Sequence, residues 1–187
     1  RIRTSSVEPL IITEEFVQRL GAVDKFCPHF HLSLQSGSDS VLSRMNRRYT
    51  SQEYREAVNT IRRTFPYAAI TTDVIVGFPE ETDQEFEQTY EFLKELKLYE
   101  THIFKYSPRN GTKAAEMPDQ VDPSVKNSRS ECLIKLNEKN KKDFEDLHVG
   151  QIVDILIETH ENGYATGHTK NYIKAGIKTQ ENLSNQI

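Results

Sequence analysis

Tryptophan is absent from this 187-residue chain, and cysteine occurs only at Cys27 and Cys132. Two thiols so far apart, with no CxxC spacing, make neither a disulfide framework nor a metal site by themselves, and they read as reduced cysteines. No apolar run approaches bilayer length and no leader pattern is present, so a soluble, cytoplasmic protein without a membrane partner is expected. Positive charge is not in excess either. The formal net charge is −4, so any nucleic-acid contact has to come from a local basic surface. A starting methionine is also missing: the chain opens Arg1-Ile2-Arg3-Thr4-Ser5-Ser6, which reads as part of a longer polypeptide. Apolar residues make up 36% of the chain, and at this length that suffices for one sizeable core and a small second domain.

What is present is an alternation of strands and capped helices. A short strand near residues 2–6 precedes a helix capped by Thr13 and ended at Gly21, and a second strand covers 29–35. Ser38 starts a short helix. Thr50 with Glu53, and Thr82 with Glu85, form capping boxes before the apolar stripes Tyr54-Ala57-Val58-Ile61-Phe65 and Phe86-Tyr90-Leu93-Leu96. Between them, 68–76 is a β-branched and nearly continuous apolar run, as in a strand buried on both faces of a parallel sheet. A strand at 100–106 is followed by a helix begun by Asp122-Pro123 that runs toward Phe144. Strand–helix alternation predicts a parallel sheet with right-handed crossovers. The pattern changes at Gly150, where Ile152, Val153, Ile155 and Ile157 alternate with polar residues and Asn162-Gly163 signals a hairpin before two more short strands.

The polar residues concentrate at one end of these strands. Ser5, Ser6 and Glu8, then Gln35 and Ser36, then Asp73 and Gly77, then Tyr106, Ser107 and Arg109 all fall at predicted carboxyl ends, where α/β proteins bind ligands. Each also has a plain structural reading: Ser38 as a helix cap, Asp73 bonded to a neighbouring turn, Gly77-Phe78-Pro79 as a tight connection, Arg47 as a solvated residue beside Arg44 and Arg48. It is the set, gathered at one end, that points to a ligand.

Five segments in order resemble the radical S-adenosylmethionine methylthiotransferases that modify tRNA: Arg3-Thr4-Ser5-Ser6-Val7-Glu8-Pro9, Leu34-Gln35-Ser36-Gly37-Ser38, Met45-Asn46-Arg47-Arg48-Tyr49-Thr50, Thr72 through Pro79, and Tyr106 through Thr112. The wording at Ser33 and at Phe104-Lys105-Tyr106 is most similar to the branch acting on threonylcarbamoyladenosine at tRNA position 37, with the isopentenyladenosine branch next. The resemblance implies an α/β fold: the carboxyl-terminal half of a radical-SAM β/α barrel, partial and TIM-like, over residues 1–147. A partial TRAM domain, a small OB-like antiparallel β module, is implied over residues 148–187. It implies S-adenosylmethionine as cofactor, with Gln35 and Asp73 toward the ribose, Arg47 toward the carboxylate, and the backbone of Ile75 to Gly77 and of Phe104 to Tyr106 along the adenine. Ser6, Glu8 and Ser36 complete the implied cofactor set.

By the same resemblance, two 4Fe-4S clusters are ligated outside this chain, in an amino-terminal half of the same polypeptide, so no catalytic or metal-ligating residue is assigned here and the piece alone is expected to be inactive. The complete enzyme would open a C–H bond at C2 of the modified adenosine and install a methylthio group. The implied RNA partner is the anticodon stem–loop, met by Arg109 and Lys113 beside the barrel mouth and by Tyr164, His168, Lys170, Tyr172 and Lys174 on the β module, through stacking and phosphate contact. Two positions depart from the family pattern, Glu80 where glycine is usual and Asn110 where proline is frequent. A non-catalytic RNA-binding barrel remnant, and a phosphate-binding barrel enzyme such as an aldolase, are the readings from other classes.

Overall fold

The computed structural model describes residues 1–187. Four strands, β1 (Ser6–Val7), β2 (His29–Leu32), β3 (Ala69–Val76) and β4 (Glu100–Lys105), form one parallel sheet in sequential order. Helices connect each consecutive pair: α1 (Glu14–Gly21), then α2 (Asp39–Arg44) with α3 (Ser51–Thr64), then α4 (Asp83–Leu96). The short α5 (Lys113–Glu116) and the long α6 (Pro123–Asp146) follow β4. A strand alternates its side chains between two faces. Here Phe30, Leu32, Ile70, Val74 and Val76 enter the core beneath the helices, with Tyr54, Val58, Ile61, Phe92, Leu93, Leu96 and Leu133. The other face carries His31, Asp73, Ile75, His102 and Phe104 and has no helix over it. Phe104 stays 53% exposed.

The capping boxes form as the sequence requires. Thr50 Oγ1 accepts from the Glu53 N–H and Thr82 Oγ1 from the Glu85 N–H, and each glutamate accepts in return from its cap residue's N–H. Ser38 occupies the cap position of α2 without capping it; its hydroxyl donates instead to Gln88 Oε1 at 2.7 Å. The strands are shorter than the apolar runs. Of residues 2–6, Ile2 makes only an isolated bridge to Phe26 and β1 starts at Ser6, while β2 stops at Leu32 and resumes contact with β3 only at the Gln35–Val74 bridge. The 3-10 turn at Pro9–Ile11 and α5 carry too few residues to show a periodicity.

Residues 155–178 form a separate three-stranded antiparallel sheet: β5 (Ile155–Glu161), β6 (Tyr164–Thr169) and β7 (Lys174–Lys178). Asn162 and Gly163 both take positive φ, 52° and 75°, the backbone of a tight hairpin turn. Ile152 and Val153, expected at the head of this unit's first strand, precede it, and Ile152 is fully exposed. The sheet docks at the amino ends of the parallel strands. Arg1 donates to the carbonyls of His168 and Asp154, Arg3 to those of Lys170 and Thr169, and Asn171 Nδ2 to the carbonyl of Tyr67. Ile173 packs with Ala69 and Tyr99, the residues that open β3 and precede β4.

Candidate functional site

The carboxyl ends of β2, β3 and β4 open on a cleft of about 600 Å³. Gln35, Asp73, Ile75, Phe104 and Tyr106 line it from the strands, and Ser107, Arg109 and Thr112 from the loop after β4. Gln35 stands in the left-handed region at φ 70°, held by its N–H donating to the Asp73 carbonyl and its own carbonyl accepting from the Ile75 N–H, both at 2.9 Å. A non-glycine residue there is uncommon. The two backbone bonds fix it where its side chain lines the cleft. From the helix side, Tyr54 and Tyr49 donate their hydroxyls to the carbonyls of Leu32 and Leu34 at 3.3 and 3.2 Å, which pins the end of β2. Burial pushes the hydroxyl pKa of both tyrosines up, so they remain donors.

The loop after β3 is built by charge. Gly77, at φ 69°, donates its N–H to Glu81 Oε1 at 2.9 Å, and Arg129 on α6 reaches the same carboxylate at 2.7 Å and Asp83 at 2.7 Å. Glu81 and Arg129 are both buried. Burial raises the Glu81 pKa, and the Gly77 N–H and Arg129 oppose that rise. A Cβ at Gly77 would lie 2.3 Å from Lys126 Cγ, so positive φ and lack of space both require glycine. Lys126 in turn donates to the Tyr106 carbonyl at 3.1 Å and lies over its ring. Glu80 sits at φ 65°, a backbone that suits glycine, with its carboxylate 4.0 Å from Arg44.

Apart from the Nε atoms of Arg44 and Arg129, whose other nitrogens are bonded, three polar groups around this end lack a protein partner. The Tyr106 hydroxyl and Arg47 Nε are buried and unpaired, and the Gln35 amide lines the cleft unbonded. Unpaired buried polar atoms are costly unless something outside the chain meets them. A hydroxyl and an amide beside an apolar wall of Ile75 and Phe104, with the Arg109 guanidinium in the same lining, suit a molecule with a flat ring, a polyol and an anionic end.

Residues 1–93 match the model of the radical SAM superfamily. The chain belongs to that superfamily. Over its whole length it is 42% identical to the threonylcarbamoyladenosine tRNA methylthiotransferase MtaB of Bacillus subtilis, of which it covers 43%. Over 84% of its length it is 41% identical to a tRNA-2-methylthio-N(6)-dimethylallyladenosine synthase of Pelotomaculum thermopropionicum, of which it covers 35%. The chain thus spans less than half of each of these relatives. Among solved structures, coproporphyrinogen III oxidase of Escherichia coli, described as a radical SAM enzyme, superposes with a TM-score of 0.61 at 20% identity, over 72% of this chain and 31% of that one. That likeness supports the fold alone.

Within this superfamily fold, the residues singled out by sequence separate into groups. Gln35, Asp73, Ile75 and Tyr106 come together in the cleft, and Arg109, expected on the RNA side, joins them there. Ser6, Glu8 and Arg47 lie outside its lining, Ser6 and Glu8 exposed at the end of β1. Ser36 is 1% exposed, its hydroxyl paired with Thr89 Oγ1 at 3.1 Å and accepting the Ser38 N–H, so it braces the turn from inside. The Gly77 N–H is likewise taken by Glu81. On the small sheet Tyr164, Lys170 and Lys174 are exposed, and Lys113 is exposed at the start of α5. Tyr172 is not presented in this way. Its ring stacks on His29 at 4.4 Å and on His168 at 4.8 Å, and Arg3 lies over it at 4.9 Å, so its faces are covered by packing against the barrel strands. His31, His102, Lys126 and Arg129 escaped sequence reasoning. The alternation His29-Phe30-His31 was the one available sign for the first; the other three act across the fold and leave no local pattern.

No helix is long and apolar enough to cross a membrane.

Proposed function

We propose that this chain is the S-adenosylmethionine-binding barrel half and adjoining β module of a tRNA methylthiotransferase that adds a methylthio group to threonylcarbamoyladenosine at tRNA position 37 in the cytoplasm. The observation that carries the reading is the cleft: Gln35, Asp73, Ile75 and Tyr106 converge at the carboxyl ends of three strands with unpaired donors among them. Gln35 and Asp73 would hold the ribose diol, Ile75 and Phe104 would cover the adenine, and Arg47 would meet the carboxylate. When bound, S-adenosylmethionine supplies the radical that opens the C–H bond and, as a second molecule, the methyl group. What the chain's own residues do is position it: the left-handed backbone at Gln35 and the Glu81–Arg129 bracket keep the cleft walls fixed.

The 4Fe-4S clusters would be ligated outside residues 1–187, because Cys27 is buried and Cys132 lies on α6 as the only other thiol. Tyr164, Lys170 and Lys174, with Arg109 and Lys113, would contact the anticodon stem–loop. The threonylcarbamoyladenosine branch is favoured over the dimethylallyladenosine branch because identity of 42% to the first extends over the whole chain, whereas 41% identity to the second covers 84% of it.

Mass spectrometry of tRNA from cells lacking the gene tests the substrate. Loss of the 2-methylthio group on threonylcarbamoyladenosine is expected; its survival would reject the reading, and loss from dimethylallyladenosine instead would move the protein to the sister branch. Titration of the purified protein with S-adenosylmethionine tests the site. Gln35→Ala is expected to weaken binding about tenfold, the worth of one hydrogen bond to a polar ligand, and unchanged affinity would remove Gln35 from the cofactor set.

A further inference from the structure

Below the cleft, on the helix-free face of the sheet, three adjacent strands bring together His31, Asp73 and His102, whose donor atoms all lie within 4.8 Å of one another. Asp73 and His102 are register partners across β3 and β4, and His31 stands one row away on β2. His31 Nε2 is 3.3 Å from Asp73 Oδ2, and the two imidazoles are near parallel with centroids 5.9 Å apart. Nδ1 of His31 is engaged at 3.0 Å by Thr71 Oγ1, which also meets His29 Nε2 at 3.2 Å.

We propose that His31, Asp73 and His102 form a binding site for a divalent first-row transition cation of the zinc or cobalt kind, separate from any iron–sulfur cluster. Two imidazoles and one carboxylate are the donor set such cations take, whereas magnesium and calcium favour oxygen alone. Metal–ligand bonds of about 2.0–2.2 Å place neighbouring donors about 3 Å apart. His31 and Asp73 already stand near that spacing. His102 is exposed and closes the remaining gap by rotating its side chain. In the metal-free protein Nε2–H donates to the Asp73 carboxylate; a cation bound between them takes the place of that proton, and Nδ1–H donating to Thr71 Oγ1 is then the second contact that ligating histidines carry. Three protein ligands leave at least one position open toward the cleft, where a bound molecule's oxygen, nitrogen or sulfur would complete the sphere.

The test is cobalt(II) titration of the full chain after dialysis against a chelator, followed by visible absorption, with circular dichroism to confirm that each variant is folded. One equivalent is expected to bind without a sulfur-to-metal charge-transfer band, and Cys27→Ser/Cys132→Ser is expected to leave the spectrum intact. His102→Ala, at an exposed position that leaves the core untouched, and His31→Ala are each expected to weaken binding at least about tenfold. His168→Ala serves as a control, because His168 pairs with Glu158 at 2.8 Å on the small sheet, and it is expected to change nothing. Absence of binding, or binding that survives both His31→Ala and His102→Ala, overturns the proposal. Asp73 belongs to both this site and the cleft, so S-adenosylmethionine affinity is measured on His102→Ala in parallel. Lost cobalt with retained cofactor separates the two readings, and neither failure implies the other.

Discussion

The two ends of the parallel sheet are made from the same four strands and solve opposite problems. At the amino ends, Arg1 and Arg3 cap carbonyls of the small sheet, Asn171 bonds the Tyr67 carbonyl, and the rings of His29, Tyr172 and His168 stack. Most polar groups there are taken up by pairing, and the buried atoms left over, Arg1 Nε and His29 Nδ1, belong to side chains whose other atoms are bonded. At the carboxyl ends the Tyr106 hydroxyl and the Gln35 amide are left unpaired in a cleft, and Arg47 Nε is unpaired outside its lining, while the rigid contacts, Glu81 with Arg129 and Gly77, brace the loop after β3. A closed end stabilises the fold and an open end is free to bind. The difference teaches that polar residues at strand ends are informative only when one knows which of them already have partners.

The largest effect is expected at the bracket of the loop after β3. Glu81→Ala leaves Arg129 buried with exposed Asp83 as its one charged partner and the residue 81 carbonyl as a neutral one, and is expected to cost about 3 kcal/mol in chemical denaturation. A loss below about 1 kcal/mol would mean that the loop repacks without the pair and that the carboxyl end is no more rigid than its surface. At the other end, Tyr172→Ala removes the ring stacked between the barrel strands and the small sheet, with about 2 kcal/mol expected. Limited proteolysis between residues 147 and 155 is expected to quicken while S-adenosylmethionine affinity stays constant; a change in that affinity would show that the ends are coupled.

Acid distinguishes the ends further. Burial, then the charge of Arg3, lowers the His29 pKa from 6.5 to about 4. Between those values the unfolded chain takes up a proton that the folded chain resists, so this contribution is complete above pH 6.5 and is lost as pH falls toward 4. After allowance for solvent screening it is on the order of 1–2 kcal/mol. His29→Gln is expected to flatten the pH dependence of the melting temperature in that window, and an unchanged slope would remove His29 as its source. The smallest effect is expected from Gln35→Ala, within about 0.5 kcal/mol of the parent in stability, because its amide bonds nothing in the protein. A larger loss would make Gln35 a structural residue of the β2 end.

Much of this molecule is legible in its sequence. Capping boxes at Thr50 and Thr82, the apolar helix stripes and the run 68–76 all depend on interactions within a few residues, so the alternating α/β order and the Asn162-Gly163 hairpin follow from the sequence by itself. The gathering of Gln35, Asp73 and Tyr106 at one end also follows, because strand direction fixes which residues come last. Tertiary structure decided the rest. It turned Ser36 inward to Thr89, gave the Gly77 N–H to Glu81, and placed Arg109 in the cleft. It packed Tyr172 against His29 across 143 residues of chain and set His31, Asp73 and His102 side by side. Those pairings depend on strand register and on which end of the sheet the small β unit covers, and both are fixed by long-range packing that no local spacing encodes.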